Sequence, residues 1–102
     1  MKKTFPLQLE GKHPERLLEA TKHEIRKYVK RERRRALPEG VDFWDFDCRF
    51  GSTPETASVA HLAELTARID ATFQSQGTQF YVEILAKHGH RKVRAGADTS
   101  AE

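Results

Sequence analysis

Three stretches of this chain alternate apolar with polar residues, and this alternation constrains the fold more than any other feature. Residues 4–10 carry Phe5, Leu7 and Leu9 on one side, with Thr4, Gln8 and Glu10 on the other. Residues 42–50 set Trp44, Phe46, Cys48 and Phe50 against Asp45, Asp47 and Arg49. Residues 79–87 set Phe80, Val82, Ile84 and Ala86 against Gln79, Tyr81, Glu83 and Lys87. A period of two marks a half-buried β-strand, because successive side chains leave opposite faces. Strands buried on both faces would be apolar throughout. These are not, so the expected sheet has one covered face and one open, polar face.

Two helical segments supply the cover. Pro14 suits a first helical position and Glu15 a first turn. A helix is expected from there to residue 36, where Leu37-Pro38-Glu39-Gly40 ends it and turns the chain. Ser52 and Glu55 form an S-x-x-E pattern around Pro54, which predicts a capped second helix running to residue 76. Leu62, Leu65, Ile69 and Phe73 would form its buried stripe, and Gly77 would stop it. The expected order is therefore β-α-β-α-β. Short turns after each helix make right-handed crossovers the default, giving a three-stranded, mostly parallel or mixed sheet. With both helices on one face, the fold class is a two-layer α/β sandwich, α+β-like in its open face. Pro6 places the first strand at an edge. Residues 90–94 offer a short fourth edge strand.

A chain of 102 residues makes one small domain, expected to span residues 1–92. Residues 93–102 are small and polar and read as a disordered tail. The apolar fraction is 37% and the charged fraction 32%, so the core is lean and the surface strongly ionic. With Cys48 the single cysteine, no intrachain disulfide forms, which suits a reducing compartment. The first residues lack the apolar run of a signal peptide, and no apolar run approaches a membrane span. A soluble, cytoplasmic protein with no membrane partner is the expectation.

Charge is distributed unevenly. Residues 22–35 hold eight Lys or Arg and two Glu, a net +6 against +3 for the whole chain. Residues 36–86 carry Arg49 and Arg68 against eight acids, a net −6. On a helical wheel of 100° per residue, Leu18, Thr21, Ile25, Tyr28, Val29 and Ala36 share one stripe. Lys22, Arg26, Lys27, Lys30, Arg31, Arg33, Arg34 and Arg35 sweep the remaining arc of roughly 220°. Glu32 falls inside the apolar stripe, so either the helix has outrun the core there or Glu32 pairs with a group beneath it.

A positive concentration of this size calls for an anion: a phosphate backbone, or the protein's own Glu39, Asp42, Asp45 or Asp47. Arg-rich helices contact phosphates without reading base sequence. A second basic cluster, Lys87, His88, His90, Arg91, Lys92 and Arg94, stands ready to extend such a surface. The exposed aromatics suited to base stacking are Tyr81 and Phe43. Among other chemistry, Asp45 and Asp47 share a strand face and Glu83 could join them, three oxygen donors of the kind that hold Mg²⁺. The histidines His13, His23, His61, His88 and His90 lack zinc spacing. Cys48, on an apolar strand face, reads as a buried and inert thiol. No glycine-rich phosphate loop is present, and no cofactor is expected.

The strings MKKTFPL, KHEIRKYVKRERRRALPEGVDFWDFDCRFG and QFYVEILAKHGHRK resemble a family of short bacterial proteins catalogued as a domain of unknown function. The resemblance covers residues 1–92. It implies a bacterial cytoplasmic protein of one domain and carries over no activity, cofactor or catalytic residue.

Three functional expectations follow. The first is phosphate-directed, sequence-independent binding of nucleic acid, RNA foremost, through Lys22, Arg26, Lys27, Lys30, Arg31, Arg33, Arg34 and Arg35, with Arg91 and Lys92. The second is a protein–protein or homodimer module that pairs the basic helix with the acidic sheet face. The third is a metal-assisted enzyme at Asp45 and Asp47. A non-enzyme is favoured over an enzyme.

Overall fold

The computed structural model describes residues 1–91. Its elements are β1 (Lys2–Pro6), α1 (Pro14–Arg33), β2 (Phe43–Gly51), β3 (Ser58–Ala60), a 3-10 turn (Leu62–Glu64) leading into α2 (Leu65–Gln74), and β4 (Gln79–Gly89). The architecture is α+β: two helices and one four-stranded sheet in the order β1-β4-β2-β3, every neighbouring pair antiparallel. The expected three-stranded, mostly parallel sheet and the β-α-β-α-β order are therefore incorrect.

The reason lies in residues 52–60. The S-x-x-E pattern does not cap a helix. Thr53 and Thr56 exchange hydrogen bonds instead: the Thr53 N–H donates to Thr56 Oγ1 (3.1 Å) and the Thr56 N–H to Thr53 Oγ1 (3.3 Å). This tight turn folds β3 back onto β2, with Cys48 opposite Ala60 and Phe50 opposite Ser58. So short a connection can join only antiparallel neighbours. Gly51 permits it, because a Cβ there would meet Ala57 Cα at 2.6 Å. The second helix begins later, where the His61 N–H donates to the Glu64 carboxylate at 3.1 Å and the Glu64 N–H donates to the His61 carbonyl at 2.9 Å.

The crossovers survive in altered form. β1 and β2 both run antiparallel to β4, so they are parallel to each other with β4 between them. β3 and β4 are likewise parallel with β2 between them. Each helix thus bridges two parallel strands that do not touch. The alternation itself favoured this outcome, since antiparallel sheets are the ones that leave a face to water.

The covered face matches the alternation. Phe5, Phe46, Cys48, Phe50, Phe80, Val82 and Ile84 are buried, and α1 and α2 close over them with Leu18, Ile25, Val29, Leu65 and Ile69. Phe80 sits at the centre with no exposure, stacked on Phe5 (5.3 Å between centroids) and on Phe50 (5.2 Å). Leu7 is fully buried just past β1, where its N–H donates to the Thr78 carbonyl, whereas Leu9 is exposed. α2 ends in a Schellman motif with Gln76 in the left-handed region (φ 65°) and the Gly77 N–H on the Thr72 carbonyl at 2.8 Å. Gly77 stops the helix as expected, by closeness: a Cβ there would meet Thr72 Cγ2 at 2.6 Å.

β4 ends at Gly89, so residues 90 and 91 add no strand. The remainder of the expected fourth edge strand, and the expected tail at 93–102, lie outside the described residues. No helix among the described residues is long and apolar enough to cross a membrane.

Candidate nucleic-acid interface

α1 divides its cations into two groups. Lys22, only 12% exposed, faces α2 and donates to Asp70 Oδ1 at 2.9 Å, with Glu19 Oε2 at 3.1 Å. The Asp70 carboxylate, and then Glu19, hold its ammonium above the ordinary lysine value of 10.5. Lys22 is a clamp between helices. A raised lysine value means that its contribution is complete below pH 10.5 and is lost as the pH climbs through the folded-state value. Lys22→Met is expected to cost about 1 kcal/mol at neutral pH. The gap from wild type should close above that value, as read by urea unfolding across pH.

Arg31 and Arg35 are engaged locally. Glu32 is 14% exposed and accepts from Arg35 Nη1 at 2.8 Å, while Arg31 Nε lies 3.8 Å away. Glu32 thus stays packed and pairs with its chain neighbours, so neither alternative, a helix that has outrun the core or a partner beneath it, describes it. Arg35 also lies 4.7 Å over the Trp44 ring, and Arg31 5.3 Å over Tyr28. By contrast Arg26, Lys27, Lys30, Arg33 and Arg34 are exposed and make no ion pair among the described residues.

Four of these five line one wall of a cleft of about 910 Å³. Arg26, Lys30, Arg33 and Arg34 come from the last two turns or so of α1. On β2 the lining is Trp44 and the buried Phe46, and the other side is His61, Leu62 and Thr66; the Phe43 ring packs over Gly89 on the opposite face of the sheet. Their convergence follows from the fold. β2 outruns the helix cover at its N-terminal end, so its apolar face emerges beside the basic turns. The Trp44 indole N–H donates to the Arg35 carbonyl at 3.0 Å, which satisfies one of the orphan acceptors past the helix end. His88 meets the Trp44 ring edge-on at 5.6 Å. The Arg33 guanidinium lies 5.7 Å over the Phe46 ring. The cleft therefore combines cations with the side chains of Trp44 and Phe46.

The other predicted residues fall elsewhere. Arg91 is exposed past β4, its backbone N–H on Asp42 Oδ2 at 2.7 Å; Lys92 lies outside the described residues. Lys87 belongs to the open sheet face, 2.7 Å from Asp47 and 3.9 Å from Asp45. Asp47 is the main cause of its raised value. Glu83 accepts from the Tyr81 hydroxyl at 2.8 Å instead of joining the two aspartates. Among the described residues no three His, Cys, Asp or Glu side chains gather as a metal site. Tyr81 is 7% exposed, so it offers no stacking surface, while Phe43 at 39% does. Burial pushes the Tyr81 phenol upward, and does the same to the Cys48 thiol. Trp44, Phe46 and His61 are the cleft residues that the sequence reading did not assign to this site. The signal was available in Trp44, whose N–H needs a polar partner even on an apolar face.

A family model matches residues 1–95 of the chain. This protein belongs to the DUF6172 family. The family is one of unknown function, so membership places the cleft in no known reaction. No curated protein and no solved structure matches the chain.

Proposed function

We propose that this protein binds nucleic acid, RNA foremost, through the phosphates and without reading base sequence. The observation that carries the reading is a run of five exposed cations from the C-terminal half of α1 and its C-cap, Arg26, Lys27, Lys30, Arg33 and Arg34, left without an ion-pair partner among the described residues. Cations held together on one rigid helix repel one another and are stabilised by a polyanion. Guanidinium groups suit phosphate because their planar fork matches two oxygens at once. The acids nearest in space do not neutralise this set. Asp45 and Asp47 share Lys87, and Asp42 accepts from the Arg91 backbone.

The same pairing weighs against the self-association reading, because a second copy's helix would compete with Lys87 for Asp45 and Asp47. Anisotropy of a fluorescent RNA oligonucleotide at low salt tests the proposal. Saturable binding by wild type is the expected result, and no binding at the lowest salt would contradict it.

A further inference from the structure

We infer that the open face of the sheet pairs with the same face of a second copy, across a two-fold axis that crosses the strands at Leu85. A water-facing sheet surface is expected to be polar. Yet three of the five exposed large hydrophobic residues among the described residues, Phe43, Val59 and Leu85, lie on this one face. Leu85 occupies an outward position of β4, where alternation calls for a polar side chain, and it is 41% exposed.

The charges around Leu85 say what covers it. On β4, Glu83 precedes it and Lys87 follows it on the same face. On β2, Asp47 stands opposite Leu85, with Asp45 opposite Lys87 and Arg49 opposite Glu83. Each strand therefore carries opposite charges on the two sides of this row. A two-fold axis along the row lays each strand antiparallel over its own copy. Lys87 then faces the partner's Glu83, and Asp45 faces the partner's Arg49. Leu85 meets its counterpart at the axis, and Phe43 falls opposite the partner's Gly51, which carries no side chain. Asp47 also meets its counterpart, and the Lys87 ammonium 2.7 Å away compensates it. Facing sheets pack about 10 Å apart, a gap that these paired long side chains span.

β2 and β4 make the face about 30 Å long, and four strands make it about 15 Å wide. Roughly 500 Å² per copy lies at the small end of specific interfaces, so a weak, micromolar dimer is expected. α1 packs on the other face of the sheet, so this pairing leaves its cations free and is independent of the phosphate-binding reading.

Sedimentation velocity of the full-length protein without nucleic acid, from low micromolar to near-millimolar concentration, tests the inference. Wild type should show a concentration-dependent monomer–dimer equilibrium. Leu85→Glu should abolish the dimer, because it adds two carboxylates to the Asp47 pair at the axis. Lys87→Glu and Glu83→Lys should each weaken dimerisation at least about tenfold by setting like charges face to face. Mixing these two variants should restore a heterodimer that neither forms alone. Thermal unfolding checks the fold of each variant, and Leu85→Glu, outside the core, carries the test by itself where a charge variant is destabilised. A wild type that stays monomeric at the highest concentration would overturn the inference. So would a dimer that Leu85→Glu leaves intact, or two folded charge variants that associate no better mixed than alone.

Discussion

Reversing two charges in the double variant Arg33→Glu/Arg34→Glu should lower RNA affinity about 100-fold, taking about 1.5 kcal/mol for each charged hydrogen bond lost. The two residues stand at the end of α1 and line the cleft. Both are exposed, and neither makes an ion pair among the described residues, so replacing them breaks no ion pair and removes only the Arg33 contact with the Phe46 ring. One cost is foreseeable. Acidic side chains near a helix C-terminus oppose the helix dipole, at about 0.3–1 kcal/mol each. Thermal unfolding should therefore show a small loss of stability beside a large loss of binding. Lys22→Met provides the opposite pattern, a loss of stability with RNA affinity retained. A double variant that binds as wild type does would remove these side chains from the interface.

Phe80→Ala should be the most damaging single substitution in the domain. Phe80 has no exposed surface and stacks on Phe5 and Phe50, rings from the strands on either side of β4. Truncating a buried phenylalanine costs about 3–5 kcal/mol in lost transfer energy and cavity. Small domains hold only about 5–15 kcal/mol in total. The variant should lose most of its stability, shown by a urea midpoint shifted strongly downward at an unchanged slope. Phe80→Leu fills part of the cavity and should recover more than half of the loss. A midpoint within about 1 kcal/mol of wild type for Phe80→Ala would mean that the three-ring stack is not the centre of the core.

The burial of these three rings was legible in the sequence, and their stacking and the sheet around them were not. Phe5, Phe50 and Phe80 each occupy an apolar position of an alternating run, so their common burial followed from period two alone. The same held for Leu18, Ile25 and Val29 on α1, set by helical spacing. Strand order is a different kind of information. Which edge pairs with which depends on side chains far apart in the chain, such as Phe5 opposite Phe80 at a separation no local pattern encodes. β3, with only three residues, is too short to show a period, and its turn imitated a helix cap through Ser52, Pro54 and Glu55.

The candidate site divides in the same way. Net charge marked α1 as the basic element, but the eight cations of residues 22–35 look alike in a sequence. Only tertiary contacts separate Lys22, held by Asp70, from Arg26, which borders the cleft. Trp44 and Phe46 looked like ordinary strand residues because nothing local reveals that the basic end of α1 lies beside them. Tyr81 went the other way. It occupies a polar-face position by alternation and yet is buried, its hydroxyl held by Glu83.

The central claim is that the unpaired cations of α1 neutralise phosphates, and the salt dependence of RNA affinity tests it most directly. Five phosphates neutralised on a single strand correspond to a slope of about −3.5 in log affinity against log salt concentration. In Arg33→Glu/Arg34→Glu the slope should shrink to about −2. A slope near zero, or one unchanged by the double variant, would contradict the account.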